Sequence, residues 1–133
     1  MAEALFAQRL EALGFSAAVE SAGLAALIGR GADPMAQTLL GERGLNLAQH
    51  RARQLTPELI RSFELILVME AAQQRAVEAI LPSARGRVQR IGRFGDFDVP
   101  DPYRQGRAAF ERSLALIERG LADVEKAFWS ARP

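Results

Sequence analysis

The apolar positions of this chain recur in two periods, and the changes of period mark out its elements. Leu5, Phe6, Leu10 and Leu13 follow the spacing of an amphipathic helix over Ala2 to Leu13, and Gly14 supplies its stop. That helix opens almost at the first residue. No preceding side chain is available to cap it, so its first amide donors are left to water or to some other group. Ala17-Ala-Val-Glu-Ser21 reads as a short strand, and Gly23 to Gly31 as the loop that leaves it. Asp33-Pro34 combines an N-cap residue with proline at the first helical position and predicts a helix that closes at Gly44. Thr56-Pro57-Glu58 repeats the signal ahead of a shorter helix ending near Phe63.

Glu64-Leu-Ile-Leu-Val-Met69 is a continuous apolar run too short for a core helix, and it predicts a strand covered on both faces in a parallel sheet. A helix from about Ala71 to Leu81, ended by Pro82, and a short strand over Val88 to Ile91 follow. The last element runs from about Ala108 to Phe128, with Phe110, Leu114, Ile117, Leu121, Val124 and Phe128 along one face. Gly120 inside it costs about 1 kcal/mol relative to alanine. The heptad spacing also suits a coiled coil, but so short a run attached to alternating strands and helices favours a helix laid on a sheet. The pattern as a whole predicts an α/β fold.

Composition narrows the picture. The 133 residues are 49% hydrophobic, which fits one domain over residues 1–133 with a core of ordinary size. The 17 Lys and Arg against 16 Asp and Glu leave a net charge of +1, so no overall field recruits nucleic acid or an acidic membrane, and neither is expected as a partner. The start has no basic region followed by a long apolar run, and no later segment approaches the ~20 apolar residues of a membrane helix. A cytoplasmic protein is the expectation. The cysteine count is zero, which removes disulfides, thiolate zinc sites and any cysteine nucleophile from the sequence.

Three residues stand out for chemistry. Asp101 lies in Val99-Pro-Asp-Pro-Tyr103, followed by Gln105-Gly106, between the last strand and the last helix. Pro102 restricts Asp101 to extended backbone, which suits an acid that must meet a leaving oxygen; the plainer alternative is a turn that begins with aspartate. His50 is the only histidine and sits in the one local basic cluster, His50-Arg-Ala-Arg-Gln54. That cluster reads either as an anion site or as a solvated loop held by polar contacts. Ser21 is a hydrogen-bonding site residue or simply the end of a strand. A single histidine without cysteines or a tight carboxylate group does not furnish a metal site, and no cofactor is expected. No Ser/His/Asp elbow, dinucleotide fingerprint or Walker loop is present.

The order of these segments adds what none carries singly. Met1-Ala-Glu-Ala-Leu5, Ser21-Ala-Gly23, Ala32-Asp-Pro34, Gly44, His50-Arg-Ala-Arg-Gln-Leu55, Phe63-Glu-Leu-Ile-Leu-Val-Met-Glu70 and Asp101-Pro-Tyr103 resemble, in order and spacing, the segments of low-molecular-weight protein tyrosine phosphatases. The resemblance spans essentially the whole chain. It implies a three-layer αβα fold with a short parallel sheet, less that family's first strand. In the family, a loop of pattern Cys-x-x-x-x-x-Arg joins that strand to the first helix. Its thiolate attacks phosphorus while its arginine and amides hold the phosphate. By resemblance, Asp101 is the general acid that protonates the departing phenolate and then assists hydrolysis of the phosphocysteine. Tyr103 lines the substrate mouth, with Arg104 where the family often has a second aromatic. Ser21 and His50 correspond to residues that brace the phosphate loop, and with that loop absent they are expected to brace nothing.

The resemblance further implies a phosphotyrosine protein as substrate for a complete enzyme, and an inactive chain without the nucleophile. The sequence reads as N-terminally truncated, with a natural start upstream of Met1; a non-catalytic interaction or regulatory relative is the alternative. Without the first strand, Ala17–Ser21 and Glu64–Met69 lose their shared neighbour. They are expected to pair directly or to recruit a second chain, so self-association is a candidate partnership. Arsenate reduction on the same fold requires redox cysteines and does not fit.

Overall fold

The computed structural model describes residues 1–15, 17–24 and 29–129, with the side chain of Trp129 left aside. Its elements are α1 (Ala2–Ala12), α2 (Pro34–Gly41), α3 (Pro57–Ser62), β1 (Ile66–Val68), α4 (Ala71–Ile80), β2 (Val88–Arg90) and α5 (Arg107–Trp129), with short 3-10 turns at Pro82–Ala84 and Arg93–Gly95. The chain packs as two compact units. Of the described residues, the first contains those of Met1–Gln54 and Pro102–Leu114; the second contains those of Leu55–Asp101 and of α5 from Ala115.

In the first unit, α1 begins without a side-chain cap at Met1, and Met1 O accepts from Leu5 N at 3.2 Å. Gly14 ends it with φ +81, a backbone that glycine adopts without a Cβ penalty. Asp33 caps α2 by accepting from Met35 N at 2.8 Å. Leu5, Leu10, Leu39, Leu40, Phe110 and Leu114 are among the buried apolar side chains of this unit.

Ala17–Ser21 does not form the expected strand. Among the described residues it carries no regular structure and joins no ladder. The pairing lies just beyond, where Gly23 and Gln54 make a single parallel bridge. The physical reason is that strand character needs a continuous backbone partner, and here the contact ends after one residue pair. The loop expected over Gly23–Gly31 is described only at its ends, since residues 25–28 lie outside the described chain.

In the second unit, Thr56 caps α3 by accepting from Leu59 N at 3.2 Å, and Phe63 ends that helix in extended backbone. β1 and β2 pair in parallel with Ile66 opposite Val88, Leu67 opposite Gln89 and Val68 opposite Arg90. Around them Ile60, Val68, Val77, Leu81, Ala84 and Val88 form a buried cluster with Leu55 and Ile66 packed on it. β1 is less enclosed than a strand covered on both faces: only Val68 of its three residues is buried, in keeping with a sheet of two strands. Arg87 reaches back from the entry to β2 and donates to the carbonyls of Ile60 and Phe63, satisfying acceptors at the end of α3.

Along α5, Phe110, Leu114, Ile117, Leu121 and Val124 are buried on the expected stripe. Phe128 departs from it: the ring is 48% exposed and packs edge-on against Phe94 at 6.3 Å. Gly120 has a reason beyond propensity. A Cβ there would fall 2.6 Å from the carbonyl oxygen of Ile91, so the residue permits a close approach of helix to chain that alanine would obstruct.

Candidate active site

Ser21 and His50 meet at a third residue that the pattern of the chain did not single out. Glu3, in the first turn of α1, accepts from Ser21 Oγ through Oε1 at 3.2 Å and faces His50 Nδ1 through Oε2 at 3.6 Å. The two residues therefore do not stand without a partner: each holds one oxygen of the same carboxylate. An acidic residue in the first turn of a helix is itself favourable against the helix dipole, and that was the one local signal pointing to Glu3.

The basic cluster after His50 is a seam. Arg53 donates from Nε to Ser21 O at 3.0 Å, pairs with Glu20 at 3.2 Å, and accepts at its own carbonyl from Gly23 N at 2.9 Å. Gln54 Nε2 donates to Leu24 O at 2.7 Å. On the other flank Gly29 N donates to Ala52 O and Ala52 N to Arg30 O, both at 2.7 Å. Arg51 turns back on Ala48 O at 3.0 Å and His50 O at 2.6 Å. Of the two readings left open by the sequence, these contacts describe a polar seam that closes the loops of the first unit.

Tyr103 belongs to the same unit, in the turn that precedes α5. Gln105 N donates to Pro102 O at 2.9 Å, and Arg104, at φ +62, lays its guanidinium 5.1 Å from the centre of the Tyr103 ring. The ring is 47% exposed. Arg107, one residue into the helix, holds Glu42 through Nη2 at 2.8 Å and Glu111 through Nε at 2.6 Å.

Asp101 belongs to the second unit and is exposed at the end of a braced loop. The loop leaves β2 through Ile91, turns at Arg93–Gly95 and passes Asp96 at φ +53. Phe97 N donates to Gly92 O at 3.1 Å, and Arg119 of α5 stacks over the Phe97 ring at 4.9 Å. Arg90, at the end of β2, holds Asp96 Oδ1 at 2.8 Å and Asp98 Oδ1 at 3.0 Å. The hydrogen bonds that Arg90 donates to Asp96 and then Asp98 raise its guanidinium above its ordinary pKa, so it stays a fixed cation. Asp98 Oδ1 also accepts from Ala71 N, the first amide of α4, at 3.2 Å. Val99 is buried and donates from its amide to Met69 O at 2.8 Å, two residues before Asp101.

The site residues thus fall into two groups. Ser21, His50 and Tyr103 lie in the first unit and Asp101 in the second, and among the described residues no three His, Asp or Glu side chains converge as metal ligands. Asp101 can exchange a proton with a bound group. Nothing in the sequence supplies a thiolate to attack one.

An α/β fold with a short parallel sheet, an Asp-Pro loop running into the final helix, and a serine and histidine joined at the base of the first helix define a phosphatase-like class. The chain belongs to the low molecular weight phosphotyrosine protein phosphatase family, whose model matches residues 1–129. It is 45% identical over 121 residues to the probable low molecular weight protein-tyrosine-phosphatase EpsP of Ralstonia solanacearum, covering 91% of this chain and 81% of that protein. It is 44% identical over 105 residues to Wzb of Salmonella typhimurium, covering 78% of this chain and 70% of that one. Among solved structures, Vibrio vulnificus Wzb in complex with benzylphosphonate superposes with a TM-score of 0.87 at 34% identity, over 96% of this chain and 88% of the other. No described helix is long and apolar enough to cross a membrane.

Proposed function

We propose that this chain carries the acid half of a phosphotyrosine-protein phosphatase and, for want of a nucleophile, does not itself turn over phosphate esters. Asp101 is the general acid, Tyr103 contacts the aryl group, and Ser21 and His50 brace the neighbourhood of the phosphate. The observation that carries this reading is one contrast: the family match extends over residues 1–129 and includes the Asp101-Pro102-Tyr103 loop, yet the sequence has no cysteine.

The chemistry follows from the proton balance. In a complete site, a thiolate displaces the phenolate oxygen from phosphorus while the acid gives that oxygen its proton. The resulting carboxylate then takes a proton from the water that attacks the phosphocysteine, releasing phosphate and the thiolate. Asp101 serves both proton steps and neither bond-forming step. A carboxylic acid without an attacking group leaves the phosphate ester intact by this route.

Release of inorganic phosphate from a phosphotyrosine peptide by the purified chain tests the proposal. The expected rate is that of buffer, and Asp101→Asn does not alter it. Steady turnover that falls on Asp101→Asn contradicts the proposal. The missing nucleophile also favours a second reading, a non-catalytic interaction or regulatory protein; retention of an intact phosphotyrosine peptide by the chain distinguishes it from a chain that neither binds nor cleaves.

A further inference from the structure

The loop that carries Asp101 is held by groups that take no part in proton transfer, and their arrangement is that of a brace. Three contacts converge on the residues just before the acid. Asp98 accepts from Ala71 N at the start of α4 at 3.2 Å, the same oxygen accepts from Arg90 at 3.0 Å, and Val99 N donates to Met69 O at 2.8 Å. Arg90 spans the loop, since its other terminal nitrogen holds Asp96 at 2.8 Å. The side chain of Arg90 is 21% exposed, so its stem lies along the protein while the fork meets the two carboxylates at the surface.

Beneath it the backbone has no slack. A Cβ on Gly92 would fall 2.1 Å from the carbonyl oxygen of Phe97, and one on Gly95 would fall 2.8 Å from the Phe97 ring. After Val99, Pro100 and Pro102 flank Asp101 and restrict the freedom that remains. The contacts of Arg90, Asp96, Asp98 and Val99, and Pro100 after them, all lie within the second unit, so the chain that leads to Asp101 is tied to β1, β2 and α4 inside that unit.

We propose that Asp98, together with Arg90, is a positioning residue for Asp101: it ties the acid's loop to the start of α4 and the end of β2. The inference rests on the reading of Asp101 as the general acid. A bare carboxylate at position 98 suits the task because one oxygen serves both a helix amide and a guanidinium, and an ionised acceptor makes both bonds stronger than a neutral one would. Arginine suits position 90 because its planar fork reaches two carboxylates at once, which a lysine ammonium does not match.

Amide hydrogen exchange and backbone relaxation on the intact chain test this. In Asp98→Ala the Val99 amide is expected to exchange about tenfold faster or more, since charged hydrogen bonds that close the loop are lost. The order parameter at Asp101 falls, while Val77 and Leu121 amides exchange as in the parent. Asp98→Asn, which keeps an acceptor oxygen without the charge, falls between, and Arg90→Lys moves in the same direction as Asp98→Asn. If Asp98→Ala does not fold, Asp98→Asn and Arg90→Lys carry the same comparison. An unchanged Val99 amide and Asp101 order parameter overturn the proposal. So does uniform acceleration of all amides, which assigns Asp98 to general stability alone. Failure of the phosphatase reading shows instead in phosphate release and leaves the exchange pattern as stated.

Discussion

In the first unit, Ser21, Glu3 and His50 meet through side chains that remain about a third open to water, the His50 and Glu3 side chains being 29% and 30% exposed. In the second unit, the chain reaching Asp101 is anchored by Val99 at 2% exposure and by a backbone hydrogen bond to Met69, while the carboxylates of the arginine fork lie at the surface, Asp98 43% and Asp96 90% exposed. The first arrangement is a meeting of polar tips, and the second is a loop built into a packed body. Polar tips in water contribute little and give way easily, whereas a buried backbone tie moves only with its surroundings. The chain leading to Asp101 is therefore the better fixed of the two, and the meeting of Ser21, Glu3 and His50 the more adaptable.

Substitutions that break this contrast rank by how deeply they reach into packing. Gly92→Val drives a side chain into the carbonyl of Phe97, 2.1 Å from where its Cβ must lie. The expected loss is about 3 kcal/mol or more by chemical denaturation, and parent-like stability would show that the loop is not closely packed. Gly120→Ala comes next. It gains about 1 kcal/mol of helix propensity but meets Ile91 O at 2.6 Å, and a net loss of about 1–3 kcal/mol is expected. A net gain in thermal or denaturant stability would mean that the helix and chain separate at little cost.

In the first unit even a well-formed local contact carries less. Asp33→Ala removes the acceptor for Met35 N and is expected to cost about 1 kcal/mol, with the helix signal by circular dichroism otherwise intact. Glu3→Gln is the smallest change, less than about 1 kcal/mol, because it keeps an acceptor for the Ser21 hydroxyl and weakens only the solvent-accessible contact to His50 and the attraction to the Met1 amino group. A loss at Glu3 as large as that at Gly92 would erase the distinction between the units.

Much of this was readable before the fold was in view, and the boundary of legibility is physical. Asp33-Pro34 and Thr56-Pro57 announced α2 and α3 because a capping bond closes within two or three residues. The apolar run over Glu64–Met69 was legible by its length and the stripe on α5 by its period, since burial selects apolar side chains in both. Ala17–Ser21 misled because strand propensity is only an offer that a partner must accept, and the seam pairs at Gly23 and Gln54 instead. Phe128 misled because the stripe continues in sequence after the packing surface has ended, leaving the ring to Phe94. Asp101 was singled out by the prolines around it. Glu3, Arg90 and Asp98 were not, since their roles depend on chain folded back from elsewhere, and no local spacing records that.

The contrast between the two regions is tested most directly by amide hydrogen exchange read across the whole chain in one experiment. The Val99 and Ile91 amides, bonded to Met69 O and Val68 O at 2.8 Å, are expected to share the protection of the core amides around Val88. The Gly23, Gly29 and Ala52 amides of the seam, bonded at 2.7 to 2.9 Å in more open surroundings, are expected to exchange through smaller openings and markedly faster. Seam amides protected as strongly as the core, with Val99 exchanging freely, would contradict the account that the loop leading to Asp101 is the better fixed of the two regions.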